Sequence, residues 1–136
     1  MLNNECLFCK IIKGEIPAFK VYEDEYTLAF LDKFPSGEAH ALVIPKVHAE
    51  KIFDMTEDMS GKVFKTVNRV AKMMKDNLGI EDLNVLQNNG SVSGQIVNHV
   101  HVHLIPRKLN DNIEIDWESN EMEDEKLEKI LERFKG

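Results

Sequence analysis

The spacing of apolar residues changes several times along the chain, and each change marks an element. In residues 6–13, Leu7, Phe8, Ile11 and Ile12 fall at helical spacing, and Gly14 and Pro17 end the run. Phe19–Glu23 and Tyr26–Leu31 read as strands around a turn at Asp24-Glu25. His40–Pro45 is apolar almost throughout, which predicts a third strand buried on both faces and therefore central. From Asp54 to Leu78 one long helix is predicted. Met59, Val63, Val67, Val70, Met74 and Leu78 recur every three or four residues as a core stripe. Asp54-x-x-Glu57 has the form of a capping box, and Gly79 suits the left-handed residue after the last turn. Asp82–Gln87 and Ile96–Ile105 complete the strands, with Pro106 expected to end the pairing. A helix from about Asn120 closes the chain, with Leu127, Ile130, Leu131 and Phe134 on one face. The predicted fold class is α+β. It is an antiparallel five-stranded sheet with one long helix packed on it, plus short N-terminal and C-terminal helices.

Composition narrows the partners. The 136 residues suit one domain with a real core, and 43% hydrophobic with 30% charged residues is ordinary for a water-soluble chain. No apolar run approaches the roughly 20 residues of a membrane span, and Met1–Glu5 lacks the basic and apolar parts of a signal peptide. No membrane partner and a cytoplasmic location are expected. The net charge of −7 is concentrated in residues 111–136, which carry ten acidic and four basic side chains. The nearly neutral remainder offers no basic patch for a nucleic-acid polymer.

The chemistry concentrates in His99-Val100-His101-Val102-His103, where histidine and valine alternate strictly. Strand geometry puts the three imidazoles on one face, roughly 6.6 Å apart, and turns Val100, Val102 and Leu104 into the core. The outer pair would stand roughly 13 Å apart at the backbone. That is far for one ion bound through metal–nitrogen bonds of about 2 Å. Histidine chemistry or a site using part of the triad both fit. Between the last two strands, Asn88–Gln95 holds two glycines whose backbone can approach an anion closely. Cys6-x-x-Cys9 has metal-ligand spacing but supplies only two ligands. Two free thiols or a redox pair are the other readings.

The run Gly94-Gln95-Ile96-Val97-Asn98-His99-Val100-His101-Val102-His103-Leu104-Ile105-Pro106-Arg107 resembles the signature of the histidine triad (HIT) superfamily, in its Hint-like bacterial nucleotide-binding branch. Cys6–Ile12, Phe30-Leu31-Asp32 and His40–Lys46 resemble the same family. The resemblance implies a HIT domain over residues 1–110, followed by an acidic extension, 111–136, that is not a separate domain. It implies a base pocket at Phe8, Ile11 and Phe30, beside Leu42, with Asp32 on the ribose. Asn88, Gly94, Gln95 and the Ile96 amide would lie along the phosphate. Ile96 stands where some members have Ser or Thr, so only its backbone can contribute. Zinc would be held by Cys6, Cys9, His48 and His99, a closed and therefore structural site.

On that resemblance the chain is expected to be a nucleotide hydrolase or transferase. His101 would attack the α-phosphate, His103 would hold the phosphate and departing group, and His99 and His40 would orient them. No catalytic metal is required. A purine nucleoside phosphoramidate is the expected substrate and a homodimer the expected assembly. Dinucleoside polyphosphate hydrolysis, a regulatory nucleotide-binding module with little turnover, and a zinc hydrolase built on the triad are the alternatives.

Overall fold

The computed structural model describes residues 2–136. Helix α1 (Leu7–Ile12) precedes three strands, β1 (Lys20–Glu23), β2 (Thr27–Leu31) and β3 (Ala41–Pro45). Helix α2 (Glu57–Leu78), strands β4 (Asp82–Gln87) and β5 (Val102–Arg107) and helix α3 (Asp124–Phe134) follow. All strand pairs are antiparallel, in the order β1-β2-β3-β5-β4, so β3 is central as its apolar run predicts.

Alternation along the strands divides the core in two. Ala29, Ala41, Val43, Val102 and Leu104 face α2 and pack on Val63, Val67, Val70 and Met74. Leu28, Phe30, Leu42 and Ile44 face the other way and pack on Phe8, Cys9 and Ile11 of α1. Fully burying each such side chain contributes roughly 1.5–3 kcal/mol, so both faces are needed to hold the sheet. His103 lies opposite Leu42 in the register and therefore on the α1 face. Thr66, at a stripe position of α2, meets Thr27 with 2.6 Å between hydroxyl oxygens, which satisfies both polar groups inside the core.

Four boundaries differ from the sequence expectation. The long helix starts at Glu57, because the Thr56 hydroxyl accepts the Met59 N–H at 3.1 Å and caps it. Asp54 instead closes the short turn Ile52–Asp54 by accepting the Lys51 N–H. Strand β5 begins at Val102, not Ile96: β4 ends opposite it at Gln87, and pairing with β3 ends at Val43 although β3 itself continues to Pro45. Strand β5 also continues through Pro106, opposite Leu83, because β3 stops pairing at Leu104 and only β4 remains alongside. The last helix starts at Asp124, and Leu127, Leu131 and Phe134 on it are exposed. Among the described residues no helix is long and apolar enough to cross a membrane.

Candidate active site and metal centre

The three alternating histidines do different things. His99 and His101 precede the paired strand and His103 lies in it. All three rings remain on the α1 side, where Phe8 stands edge-on to His99 and to His101, at ring separations of 5.9 and 5.2 Å.

Each ring's hydrogen bonds fix its tautomer. A carbonyl oxygen only accepts, so His99 Nε2–H donates to Pro45 O at 3.0 Å and Nδ1 carries the lone pair. His101 Nδ1–H donates to the His99 carbonyl at 2.7 Å, which leaves Nε2 unprotonated. The Ser36 N–H donates to His40 Nδ1 at 2.9 Å, so the His40 proton sits on Nε2. That Nε2–H points at His103 Nδ1, 2.9 Å away, and the proton of His103 is left on its own Nε2. His101 therefore presents a nucleophilic nitrogen beside a neighbour that presents a donor, with ring centroids 5.0 Å apart.

Burial keeps these rings neutral. It pushes His103 down to about 4, helped by the neighbouring His101 and His40 and opposed by Asp32. It also lowers His101, against the His99 carbonyl and the Asp32 charge, and lowers His40 against Asp32.

Asp32 lies 3.5 Å from His40 Nε2, and its other oxygen accepts the Phe34 N–H. Although Asp32, His40 and His103 cluster, His40 and His103 aim their facing nitrogens at each other across a hydrogen bond, which leaves no shared point for an ion. Ala39, just before His40, is held at φ 65°, a left-handed conformation that costs a residue with a side chain about 1–2 kcal/mol. The segment Phe34–Ala39 is thus kept in place by its surroundings.

Phe8, Ile11, Phe30 and Leu42 form one buried cluster, with Phe8 and Phe30 edge to face at 5.6 Å. The loop Asn88–Gln95 folds around the turn Ser91–Ser93, with Gly90 and Gly94 at φ 92° and 100°. Side chains rarely adopt these angles, so both glycines are needed for the shape. Asn88 lies against Gly94, where an added Cβ would stand 3.5 Å from Asn88 Nδ2. The Gln95 side chain braces the loop, with Nε2 donating to Glu50 O and Val97 O and Oε1 accepting the Gly90 N–H. Both of its N–H groups are spent internally, so it does not reach a phosphate with them. Ile96 is 92% exposed. Asn89, which the sequence did not single out, ties the loop to the chain before α2 by accepting the Ile52 N–H at 2.7 Å.

Cys6, Cys9, His48 and His99 converge, with their four donor atoms within 4.8 Å of one another. Sγ of Cys6 is 3.4 Å from His99 Nδ1. Sγ of Cys9 is 3.4 Å from His48 Nδ1 and 3.6 Å from His99 Nδ1. Tetrahedral zinc, with bonds of about 2.3 Å to sulfur and 2.0–2.1 Å to nitrogen, requires a sulfur-to-nitrogen separation of about 3.5 Å. Both sulfurs also accept backbone N–H groups, Cys6 from Cys9 and Cys9 from Asn3. Burial pushes the Cys9 thiol up, against the Asn3 N–H, so a cation would supply what the protein alone does not. The donor set fits zinc and has no open position.

The HIT domain family profile matches residues 13–110. The chain is 43% identical over 130 residues to adenosine 5'-monophosphoramidase HNT1 of Saccharomyces cerevisiae, covering 95% of this chain and 80% of that one. A Bacillus subtilis crystal structure of a HIT family member superposes with TM-score 0.91 at 39% identity, covering 98% of this chain and 96% of that one. A Zn-bound histidine triad family protein from Mycobacterium smegmatis is similar at TM-score 0.76 and 32% identity, covering 85% and 84%.

Proposed function

This chain belongs to the HIT family, and on that premise we propose that it is a nucleotide hydrolase cleaving at the α-phosphate through a nucleotidyl-histidine intermediate, with a purine nucleoside phosphoramidate as substrate. The observation that carries the reading is the chain of hydrogen bonds from Ser36 through His40 to His103 and from His101 to the His99 carbonyl, from which His101 Nε2 follows as free and His103 Nε2 as protonated. His101 Nε2 attacks phosphorus and the phosphorus–nitrogen bond to the amine breaks. The amine leaves with the proton held on His103 Nε2, and water then attacks the nucleotidyl-imidazole, releasing the nucleotide, restoring His101 and returning a proton to His103. Asp32 suits the ribose hydroxyls, since a carboxylate can accept from both. Phe8, Ile11, Phe30 and Leu42 supply the apolar wall for a base. The S. cerevisiae relative named as a phosphoramidase favours this substrate over a dinucleoside polyphosphate. Rapid quench with adenosine phosphoramidate followed by peptide mass spectrometry should find an adenylyl adduct on His101. Turnover with no adduct at any quench time would overturn the covalent route.

Zinc bound by Cys6, Cys9, His48 and His99 would be structural, tying α1 to the segment before β5. It takes no part in the chemical step.

The active unit is a homodimer. Supporting this, β4 is an edge strand with Val85 45% exposed, and α3 buries no residue among those described. Light scattering at micromolar concentration should give twice the chain mass of 15.6 kDa; a stable monomer would refute the assembly.

A further inference from the structure

We infer that Ile113, in the segment just after the triad strand, is a positioning residue for His40, acting through the loop that fixes the tautomer of that ring. The inference rests on the reading of His101 as nucleophile for its consequence in catalysis, though not for its geometry.

The anchor is Arg107, the last residue of β5. Its Nε and Nη2 donate to the Asp111 carboxylate at 2.8 and 3.2 Å, and Nη1 donates to Asn84 Oδ1 on β4 at 2.7 Å. Nη2 also donates to the Ile113 carbonyl at 2.7 Å. Asp111 accepts the backbone N–H groups of Lys108 and Ile113 as well. This bracing holds the turn although Asn110 and Asn112 both sit in the left-handed region. The turn is therefore fixed from both strands of the sheet edge, and it delivers the Ile113 side chain to one place.

That place is Gly37. A Cβ there would lie 2.8 Å from Ile113 Cδ1, so the isoleucine is seated on the glycine backbone and would have to move to admit a side chain. A cleft of about 480 Å³ opens behind this loop, bordered by Gly37, Ala39, Pro106, Arg107, Asp111 and Ile113. The loop backs onto open space there, and Ile113 is the side chain that presses on Gly37. The Gly37 carbonyl accepts the His40 N–H at 3.3 Å, and the Ser36 N–H is what holds His40 Nδ1 as an acceptor. With Ala39 strained between them, a loop that loses Ile113 relaxes and withdraws the Ser36 N–H. His40 is then free to carry its proton on Nδ1 and to accept from His103. That reversal removes the proton from His103 Nε2, where the departing group needs it.

The test is ¹⁵N-histidine NMR of the purified full chain, read together with steady-state kinetics on adenosine phosphoramidate. In the wild type, His40 and His103 should each show a single Nε2–H tautomer. Ile113→Ala should give mixed tautomers at both rings and lower kcat about tenfold to a hundredfold, the scale of a small misplacement. AMP affinity should stay within about twofold, since this turn lies outside the base wall. Ile113→Val removes only the touching methyl and should fall between the two, which keeps the test usable if the alanine variant folds poorly. Glu25→Ala, in the exposed turn between β1 and β2, should match wild type in both readouts. Unchanged tautomers in both Ile113 variants would overturn the inference, whatever happens to kcat. Mixed tautomers in Ile113→Ala would support it even if the wild type forms no His101 adduct, in which case the covalent reading alone would fall.

Discussion

His101→Ala should lower kcat by at least about 10³ while leaving nucleotide affinity nearly unchanged. The substitution removes the one imidazole nitrogen of the triad that is unprotonated, accepts no hydrogen bond and lies away from the cysteine cluster, since His103 Nδ1 is occupied by His40 and His99 Nδ1 faces the cysteines. Asp32, the Phe8–Phe30 wall and the Asn88–Gln95 loop remain, so binding persists without a bond to phosphorus. His103→Ala should cost less, on the order of 10²–10³, the scale of one lost donor to developing charge. The pH profile carries the same signature. Only neutral His101 attacks, and burial lowers its pKa, so the acid limb of kcat/KM should lie below the ordinary histidine value of about 6.5. A His101→Ala protein that keeps more than a tenth of wild-type activity would end the covalent reading and bring forward a metal-activated water.

The second large effect concerns stability. Cys9→Ser should lower the melting temperature by about 10 °C in the presence of micromolar zinc. A site with nanomolar affinity contributes about 4 kcal/mol at a thousandfold excess over Kd, and a chain of this length shifts roughly 2–4 °C per kcal/mol. The wild-type protein, purified without chelator, should carry one zinc per chain. The effect should reach catalysis only indirectly. His99 gives its ring to the cysteine cluster and its carbonyl to His101 Nδ1, so a loosened His99 costs orientation and spares the reacting nitrogen. Metal analysis finding well under one zinc per chain, with Cys9→Ser melting within about 2 °C of wild type, would refute the metal centre.

Most of this architecture was legible because single-residue patterns carried it. The apolar run of β3 made it central, the three-and-four stripe made α2, and parity separated the histidines from Val100, Val102 and Leu104. What escaped depended on partners rather than on pattern. The alternation at His99–His103 says how side chains point, yet not where β3 and β4 stop offering hydrogen bonds, so His99 and His101 lie outside the ladder. Asp54 and Thr56 are both good caps, and only the path of the chain into α2 selects Thr56. The resemblance placed Gln95 along the phosphate, and its tie to Glu50 O, 45 residues away, left no mark in the sequence. The Ser36 N–H left no trace at all, since any residue but proline has one. A carboxylate four residues after Arg107 was the one available hint to the braced turn.

The strand order has a kinetic consequence. β1, β2 and β3 pair with their sequence neighbours, and α2 forms locally, so these pieces can assemble early. The chain must run the whole of α2 before β5 can reach β3, and the pairs that join the triad strand to the rest of the site span that closure. His40 meets His103 across 63 residues, and Cys6 meets His99 across 93. Closing such loops is paid in chain entropy before any contact rewards it. A refolding chain is therefore expected to gain helical signal and the three-stranded β1-β2-β3 sheet before it has an ordered nucleophile or an assembled ligand set. Activity is gained in the last cooperative step, and a chain stalled before it exposes the β3 edge where β5 belongs.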